Sequence, residues 1–201
     1  VTFGKNSARS MAGGATDISI APIPLPRQWM ASKMTRSQQQ PGAGLANPVL
    51  VALDLPALDQ AGELARRLRG AVGGIKLGLE FYMANGAAGV AALSELGLPV
   101  FLDLKFHDIP NTVAGAIRAI APLRPAITNV HAAGGRAMML AARDAAAESA
   151  AKLGAPSPKL IAVTVLTSLS GQDLAEVGQP SDTLDQVRRL AALTQQCGLD
   201  G

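Results

Sequence analysis

The sequence predicts an α/β fold, and within that class a (β/α)8 TIM barrel rather than a doubly wound sheet. Short apolar runs alternate with helical patterns from residue 48 onward, which is typical of βαβ units and a parallel sheet. A doubly wound sheet can be complete with about this many strands. However, polar residues follow several of the runs, and barrel enzymes carry their reactive groups at that end of several strands.

The predicted strands are short runs of mostly aliphatic residues, bounded by Gly, Pro or polar residues. They span residues 49–54, 74–77, 100–105, 126–131 and 160–167. The helices between them are predicted from apolar residues at helical spacing, such as Leu64 and Leu68. They span residues 60–69, 81–96, 112–121, 136–153 and 184–196. Residues 199–201 look like the opening of a sixth strand, so we expect a barrel truncated after about five β/α units.

Residues 1–46 differ in composition from the rest of the chain. They are rich in Gly, Ser, Gln and Pro without periodicity, which predicts a disordered leader or an upstream segment, with the fold in residues 47–201. The first segment holds five basic residues and one acidic residue, a net charge of +4, whereas the whole chain carries +3. Residues 47–201 therefore carry −1, and with few aromatic residues no nucleic-acid groove is expected.

The cysteine content and the hydropathy bound the compartment. Cys197 is the single cysteine, so the chain has no internal disulfide and fits a reducing compartment. No run approaches the roughly 18 apolar residues of a membrane span, and no stretch has the form of a signal peptide. We expect a cytoplasmic protein without a membrane partner.

The most informative segment is residues 103–112 (DLKFHDIPNT), directly after an apolar run. Side chains alternate along a strand, so Phe101, Asp103 and Lys105 are predicted on one face. A carboxylate and an ammonium then share the end of a buried strand. Burial of charge is costly unless the groups pair or take part in chemistry, so an ion pair without a catalytic role is the alternative interpretation.

Residues 48–201 resemble the bacterial-type orotidine 5′-monophosphate decarboxylases. The resemblance rests on residues 51–54 (VALD), 75–78 (IKLG), 101–112 (FLDLKFHDIPNT), 129–131 (NVH), 160–168 (LIAVTVLTS) and 197–201 (CGLDG). It implies a carbon-carbon lyase that converts orotidine 5′-monophosphate to uridine 5′-monophosphate, the last step of de novo pyrimidine nucleotide synthesis. It also implies a homodimer with shared active sites and a reaction without cofactor or metal.

The resemblance assigns four catalytic residues. Lys105 is expected to protonate C6 of the pyrimidine as carbon dioxide leaves, and Asp103 to lie beside the departing carboxylate. Lys76 and Asp108 are expected to complete an alternating network of charges. For Lys76 the alternative is a side chain that only extends to the barrel rim, although Gly74 and Gly78 beside it suit close approach of a ligand.

Further residues are expected to bind the substrate. The resemblance implies that Asp54 contacts a ribose hydroxyl, that Thr167 contacts the pyrimidine ring, and that Thr112 reaches with Asp108 into the neighbouring subunit's site. Asp54 and Thr112 have a structural alternative, because either residue can cap a helix. His131 lacks a second ligand at metal spacing, so it is not expected to bind a metal.

Two other functions stay open from the residues. A sugar-phosphate synthase or decarboxylase that acts through magnesium shares the Asp-x-Lys-x-x-Asp pattern, but it requires a further carboxylate near the metal. An inert phosphosugar-binding fragment is the second alternative. In the family the phosphate is bound by later loops that include a Gly-Arg pair, and we expect these loops beyond residue 201. Residues 1–201 alone are therefore expected to be poorly soluble and inactive.

Overall fold

The computed structural model describes residues 47–201, so the predicted leader lies outside the described residues. Its sheet has five strands: β1 (Leu50–Ala52), β2 (Gly74–Gly78), β3 (Val100–Phe106), β4 (Ile127–His131) and β5 (Lys159–Val163). All four pairings are parallel, and the strand order is β1-β2-β3-β4-β5. In a doubly wound sheet the strands are added first on one side of the starting strand and then on its other side, so the strand order is not sequential. In a barrel each new strand is added beside the preceding one. The order confirms the predicted barrel class.

A helix follows each strand, and a second helix follows β5. The helices are α1 (Leu58–Leu68), α2 (Leu79–Ser94), α3 (Pro110–Ile120), α4 (Gly135–Leu153), α5 (Gly171–Glu176) and α6 (Thr183–Gln196). Five of them agree with the predicted helices to within two residues at every end. The short helix α5 is not predicted, because six residues are too few for an apolar period. Its local signal is a capping box, in which Ser170 and Asp173 bond each other's backbone N–H groups.

Successive residues of each strand point to opposite faces of the sheet, one face being covered by the helices. In β2, Ile75 and Leu77 are fully buried, whereas Lys76 between them is partly exposed. The helices cover the sheet through small and aliphatic side chains, as in the buried Ala114 of α3 and Ala142 of α4. None of the helices in the described part of the chain has the length and apolar character that crossing a bilayer requires.

Two strands end earlier than the sequence predicts. The predicted strand over 160–167 ends at Val163, and Thr167 lies in a turn, where it is exposed. Similarly, β1 ends at Ala52, so Asp54 lies in the segment that follows. The apolar residues continue past both strand ends, and therefore the apolar run alone does not mark where pairing stops. Both segments belong to the edge of the sheet at which the strands end.

The last residues of the chain pair with β5. Asp200 N–H donates to the Leu160 carbonyl at 2.8 Å, and Ala162 N–H donates to the Gly201 carbonyl at 2.8 Å. The Asp200 carboxylate also accepts the Leu160 N–H at 2.9 Å and pairs with Lys159 Nζ at 2.7 Å. These contacts place residues 200 and 201 beside β5, where the sequence predicts the opening of a sixth strand, although the two residues do not yet form a strand there.

Candidate active site

Four charged side chains converge at the carboxyl ends of the first three strands, with alternating sign. Asp54 Oδ1 lies 3.9 Å from Lys76 Nζ, and Lys76 Nζ lies 3.2 Å from Asp103 Oδ2. The other oxygen of Asp103, Oδ1, lies 2.6 Å from Lys105 Nζ. The strand register explains why Lys76 contacts Asp103. Gly78 of β2 pairs with Asp103 of β3, and the long Lys76 side chain extends from two residues earlier in β2 to that position. The structure thus brings together four of the residues that the sequence singles out.

Asp103 is the centre of this cluster. Its residue is 6% exposed, whereas the Lys76 and Lys105 side chains on either side are 28% and 31% exposed. Burial raises the pKa of Asp103, but hydrogen bonds from Lys105, Asn129 and Lys76 outweigh it and hold the pKa below its usual value of 3.8. The carboxylate is therefore ionised at neutral pH. Two ammonium groups flank one buried negative charge, and both still reach solvent.

The backbone at Lys105 departs from regular strand geometry. Lys105 has φ = 51°, in the left-handed region that non-glycine residues seldom adopt. Pairing with β4 is regular at Leu102 and resumes only at Phe106, with a shift in register between them. Such a conformation costs on the order of 1–3 kcal/mol and persists where neighbouring groups enforce it, often at functional sites. Asp103 and Lys105 do meet, as the sequence predicts for one face of this strand, but the strand between them is bulged rather than regular.

Asn129 of β4 is the site residue to which sequence reasoning gives no role. It is 2% exposed, its Oδ1 accepts the Lys105 N–H at 2.8 Å, and its Nδ2 donates to Asp103 Oδ1 at 2.7 Å. A signal for it exists in the sequence, because an asparagine in the middle of a predicted strand must find hydrogen-bond partners when it is buried.

Three expected site residues lie apart from the charged cluster. Asp108 is exposed between β3 and α3, where its Oδ1 accepts the Ile109 N–H at 2.6 Å. Thr112 is exposed in the first turn of α3, and Ile109 is the N-cap of that helix, so the alternative role of Thr112 as a cap is wrong. Within residues 47–201, neither Asp108 nor Thr112 bonds to the four charged side chains, and Thr167 does not either.

The two glycines beside Lys76 differ in role. A Cβ added at Gly74 would lie 2.5 Å from the Pro99 carbonyl oxygen, so this glycine allows β2 to approach the chain before β3. The expectation that Gly74 gives room to a ligand is therefore wrong, because it lies at the opposite end of β2 from the site. At Gly78 the nearest atom to an added Cβ is Asp54 Oδ1 at 3.9 Å, which leaves the site end of the strand open.

A pair of histidines borders the cluster. The His107 and His131 rings have centroids 5.4 Å apart and are tilted by 31°. Burial, followed by the charges of His107 and Lys105, lowers the pKa of His131 below its usual 6.5, so the ring is neutral at pH 7. In the part of the chain that the structure describes, no three His, Cys, Asp or Glu side chains are arranged to hold a metal ion.

This geometry suits the delivery of a proton to a bound molecule. Lys105 Nζ is held by a contact of 2.6 Å to a buried carboxylate at the carboxyl end of β3, where it could donate a proton. Groups fixed in this way stabilise charge without having to reorganise during a reaction. An ammonium at such a position can oppose a developing negative charge and then neutralise it by transferring its proton.

Comparison with known proteins relates this arrangement to one family. Residues 47–201 match the family model described as orotidine 5'-phosphate decarboxylase / HUMPS family. An orotidine 5'-phosphate decarboxylase of Rhodospirillum rubrum is 62% identical over 156 residues, which cover 77% of this chain and 63% of that relative. One from Paramagnetospirillum magneticum is 54% identical over 157 residues, 78% of this chain and 67% of the relative.

A solved structure shares the fold over the same part of the chain. The crystal structure of orotidine 5'-phosphate decarboxylase from Lactobacillus acidophilus has a TM-score of 0.71 at 38% identity, and the match covers 77% of this chain and 70% of that one. The chain spans 63% of the length of the Rhodospirillum rubrum relative.

Proposed function

Because the chain belongs to the orotidine 5'-phosphate decarboxylase / HUMPS family, we propose that its protein decarboxylates orotidine 5′-monophosphate to uridine 5′-monophosphate. The observation that carries the proposal is the alternating cluster, in which Asp103 lies 2.6 Å from Lys105 Nζ and 3.2 Å from Lys76 Nζ. The names of the relatives with 62% and 54% identity support the same reaction.

In the proposed reaction Lys105 is the acid. The bond between C6 and its carboxylate carbon breaks, carbon dioxide leaves, and the electron pair remains on C6. Lys105 Nζ then transfers a proton to that pair, and the resulting amine regains a proton from solvent. Since no carbonyl next to C6 can take up the electrons, a nearby positive charge is the main stabilisation available. Asp103 fixes the ammonium, and Lys76 holds the second oxygen of Asp103.

The remaining site residues take substrate-binding roles in the proposal. Asp54 lies at the rim beside Lys76, where its exposed carboxylate can accept a hydrogen bond from a ribose hydroxyl. Thr167 lies in the exposed turn after β5, where it can contact the pyrimidine ring. Asp108 and Thr112 are exposed and turned to no charged partner within residues 47–201. We assign them to the site of a second copy, which makes the active form a homodimer with shared sites.

The alternative, a magnesium-dependent synthase or decarboxylase, is not favoured, because the relatives with 62% and 54% identity are both named orotidine 5'-phosphate decarboxylase. It would need a further carboxylate beside the cluster. Of the carboxylates in the described residues, Asp54 and Asp103 lie in the cluster, and both are within 4 Å of a lysine ammonium. The two candidates make opposite predictions for a chelator, which abolishes the magnesium-dependent reaction only.

The test is the decarboxylation of orotidylate by the full-length protein, with and without a chelator. The reaction is monitored by the change in ultraviolet absorbance. Lys105→Ala is expected to abolish turnover while nucleotide binding persists. Lys152→Ala is the matched control, because Lys152 is an exposed lysine on α4 that pairs with Glu148. Substantial turnover by Lys105→Ala, or loss of the wild-type activity in the chelator, would contradict the proposed function.

A further inference from the structure

Asn129 lies opposite the bulge that carries the reacting pair. From Leu102 to Phe106, β3 has three residues between its paired positions, whereas β4 has only Asn129 between Thr128 and Val130. Because the strands are out of register here, the Lys105 N–H lacks the backbone acceptor that a regular ladder supplies. The Asn129 carboxamide oxygen takes that place at 2.8 Å. A side chain therefore closes the gap in the ladder.

The same carboxamide holds the other member of the pair. Asn129 Nδ2 donates to Asp103 Oδ1 at 2.7 Å, and this oxygen also accepts from Lys105 Nζ at 2.6 Å. Asp103 Oδ2 is left for Lys76 Nζ at 3.2 Å. Only one orientation of the amide fits, since the reverse would place Nδ2 against the Lys105 N–H and Oδ1 against the Asp103 carboxylate.

Burial makes these two bonds obligatory. Asn129 is 2% exposed, so water does not compensate its polar atoms if either partner moves. The left-handed backbone at Lys105 is favoured while its N–H is bonded to Oδ1, and the plane of the Asp103 carboxylate is fixed by Nδ2. Backbone position and carboxylate position are thus coupled through one rigid amide.

We infer that Asn129 is a positioning residue, whose carboxamide locks the bulge of β3 and the Asp103 carboxylate together and thereby sets the Lys105 ammonium against the reacting carbon. This inference rests on the proposed function, in which Asp103 and Lys105 act on the substrate. A displacement of about 1 Å in a reacting group is enough to lower a rate by about 100-fold.

Two variants of the full-length protein separate the two bonds. Asn129→Asp keeps an acceptor for the Lys105 N–H but places a negative oxygen against Asp103, and Asn129→Ala removes both bonds. The matched control is Thr128→Val, because Thr128 is a fully buried neighbour whose Oγ1 donates to the Leu102 carbonyl at 3.1 Å, across the same two strands but outside the cluster. Each of the three changes removes a buried hydrogen bond between β3 and β4.

The expected result is a fall in kcat of about 100-fold for both Asn129 variants, with KM changed by only a few-fold. The acidic limb of kcat/KM should also move to higher pH, because Asp103 loses a donor that lowers its pKa. Thr128→Val should lose stability and keep the kcat and the pH profile of the wild type. If Asn129→Ala or Asn129→Asp does not fold, Asn129→Ser is used in its place, because serine keeps a small polar group opposite the bulge.

Asn129 variants with the kcat and pH profile of Thr128→Val would overturn the inference. A second measurement keeps it separate from the proposed function, should the wild type not decarboxylate orotidylate. In that case the Asp103 carboxyl is titrated by carbon NMR without substrate. A higher pKa of Asp103 in Asn129→Ala than in Thr128→Val supports the coupling, and equal values refute it.

Discussion

Replacing Asp103 with asparagine removes the negative charge that two ammonium groups share. The side chain is 8% exposed and accepts hydrogen bonds from Lys76, Lys105 and Asn129. Removal of one partner of a buried ion pair costs about 3–5 kcal/mol, because the remaining charge stays buried without compensation. Since the two lysine side chains are 28% and 31% exposed, solvent screens part of this effect. We expect Asp103→Asn to lower the free energy of unfolding at pH 7 by about 3 kcal/mol.

The loss should depend on pH with a defined sign. The pKa of Asp103 in the folded protein lies below its usual 3.8. A carboxyl group of this kind adds stability above its unfolded pKa, and this stability is lost as the pH falls through the folded value. The difference in unfolding free energy between the wild type and Asp103→Asn should therefore be full at neutral pH and shrink below about pH 4.

Urea denaturation of the full-length protein at pH 7 and at the lowest pH that permits cooperative unfolding measures both differences. Asp144→Asn is the control, because Asp144 is an exposed carboxylate on α4 paired with Arg143, and its replacement changes the net charge equally. A difference that is absent at pH 7, or equal at both pH values, would refute the view that the ionised carboxylate stabilises the cluster.

Two further predictions concern assembly and packing. If Asp108 serves the site of a second subunit, mixing inactive Lys105→Ala with inactive Asp108→Ala should restore activity, since one site of each mixed dimer is intact; no recovery after verified subunit exchange would count against shared sites. Gly74→Ala should lower the free energy of unfolding by about 1–3 kcal/mol, and with it the melting temperature, because its Cβ would lie 2.5 Å from the Pro99 carbonyl oxygen. Gly62→Ala in α1, where the nearest atom is 3.6 Å away, should instead stabilise by about 0.5–1 kcal/mol, and the opposite order in calorimetry would disprove the packing argument.

The sequence predicts the order of elements well, because each β/α unit is encoded locally. Apolar runs and helical periods report burial, and five strands and five of the helices follow from them. The polar residues after the runs also predict where the charged cluster lies, since parallel strands end on the same side of the sheet. Asp103 and Lys105 are prominent in the sequence because they are charged residues inside an otherwise apolar run.

What the sequence does not predict depends on contacts between distant segments. The left-handed Lys105 needs an acceptor from β4, 24 residues later in the chain, so no local pattern indicates the bulge. Asn129 has a role only once the register between β3 and β4 is known. Likewise, Val165 and Leu166 read as a continuation of β5, although the strand ends at Val163 and Leu166 is 36% exposed.

The strictly sequential order of the sheet has a consequence for how the protein is made. The paired positions of successive strands are 24 to 32 residues apart, from Leu50 and Gly74 to Ile127 and Lys159. By the logarithmic dependence of loop-closure entropy on length, the shortest and longest of these crossovers differ by only about 0.3 kcal/mol. Each strand thus finds its partner already synthesised, at nearly constant entropic cost, as the chain leaves the ribosome. Folding can therefore proceed vectorially, in steps of one β/α unit.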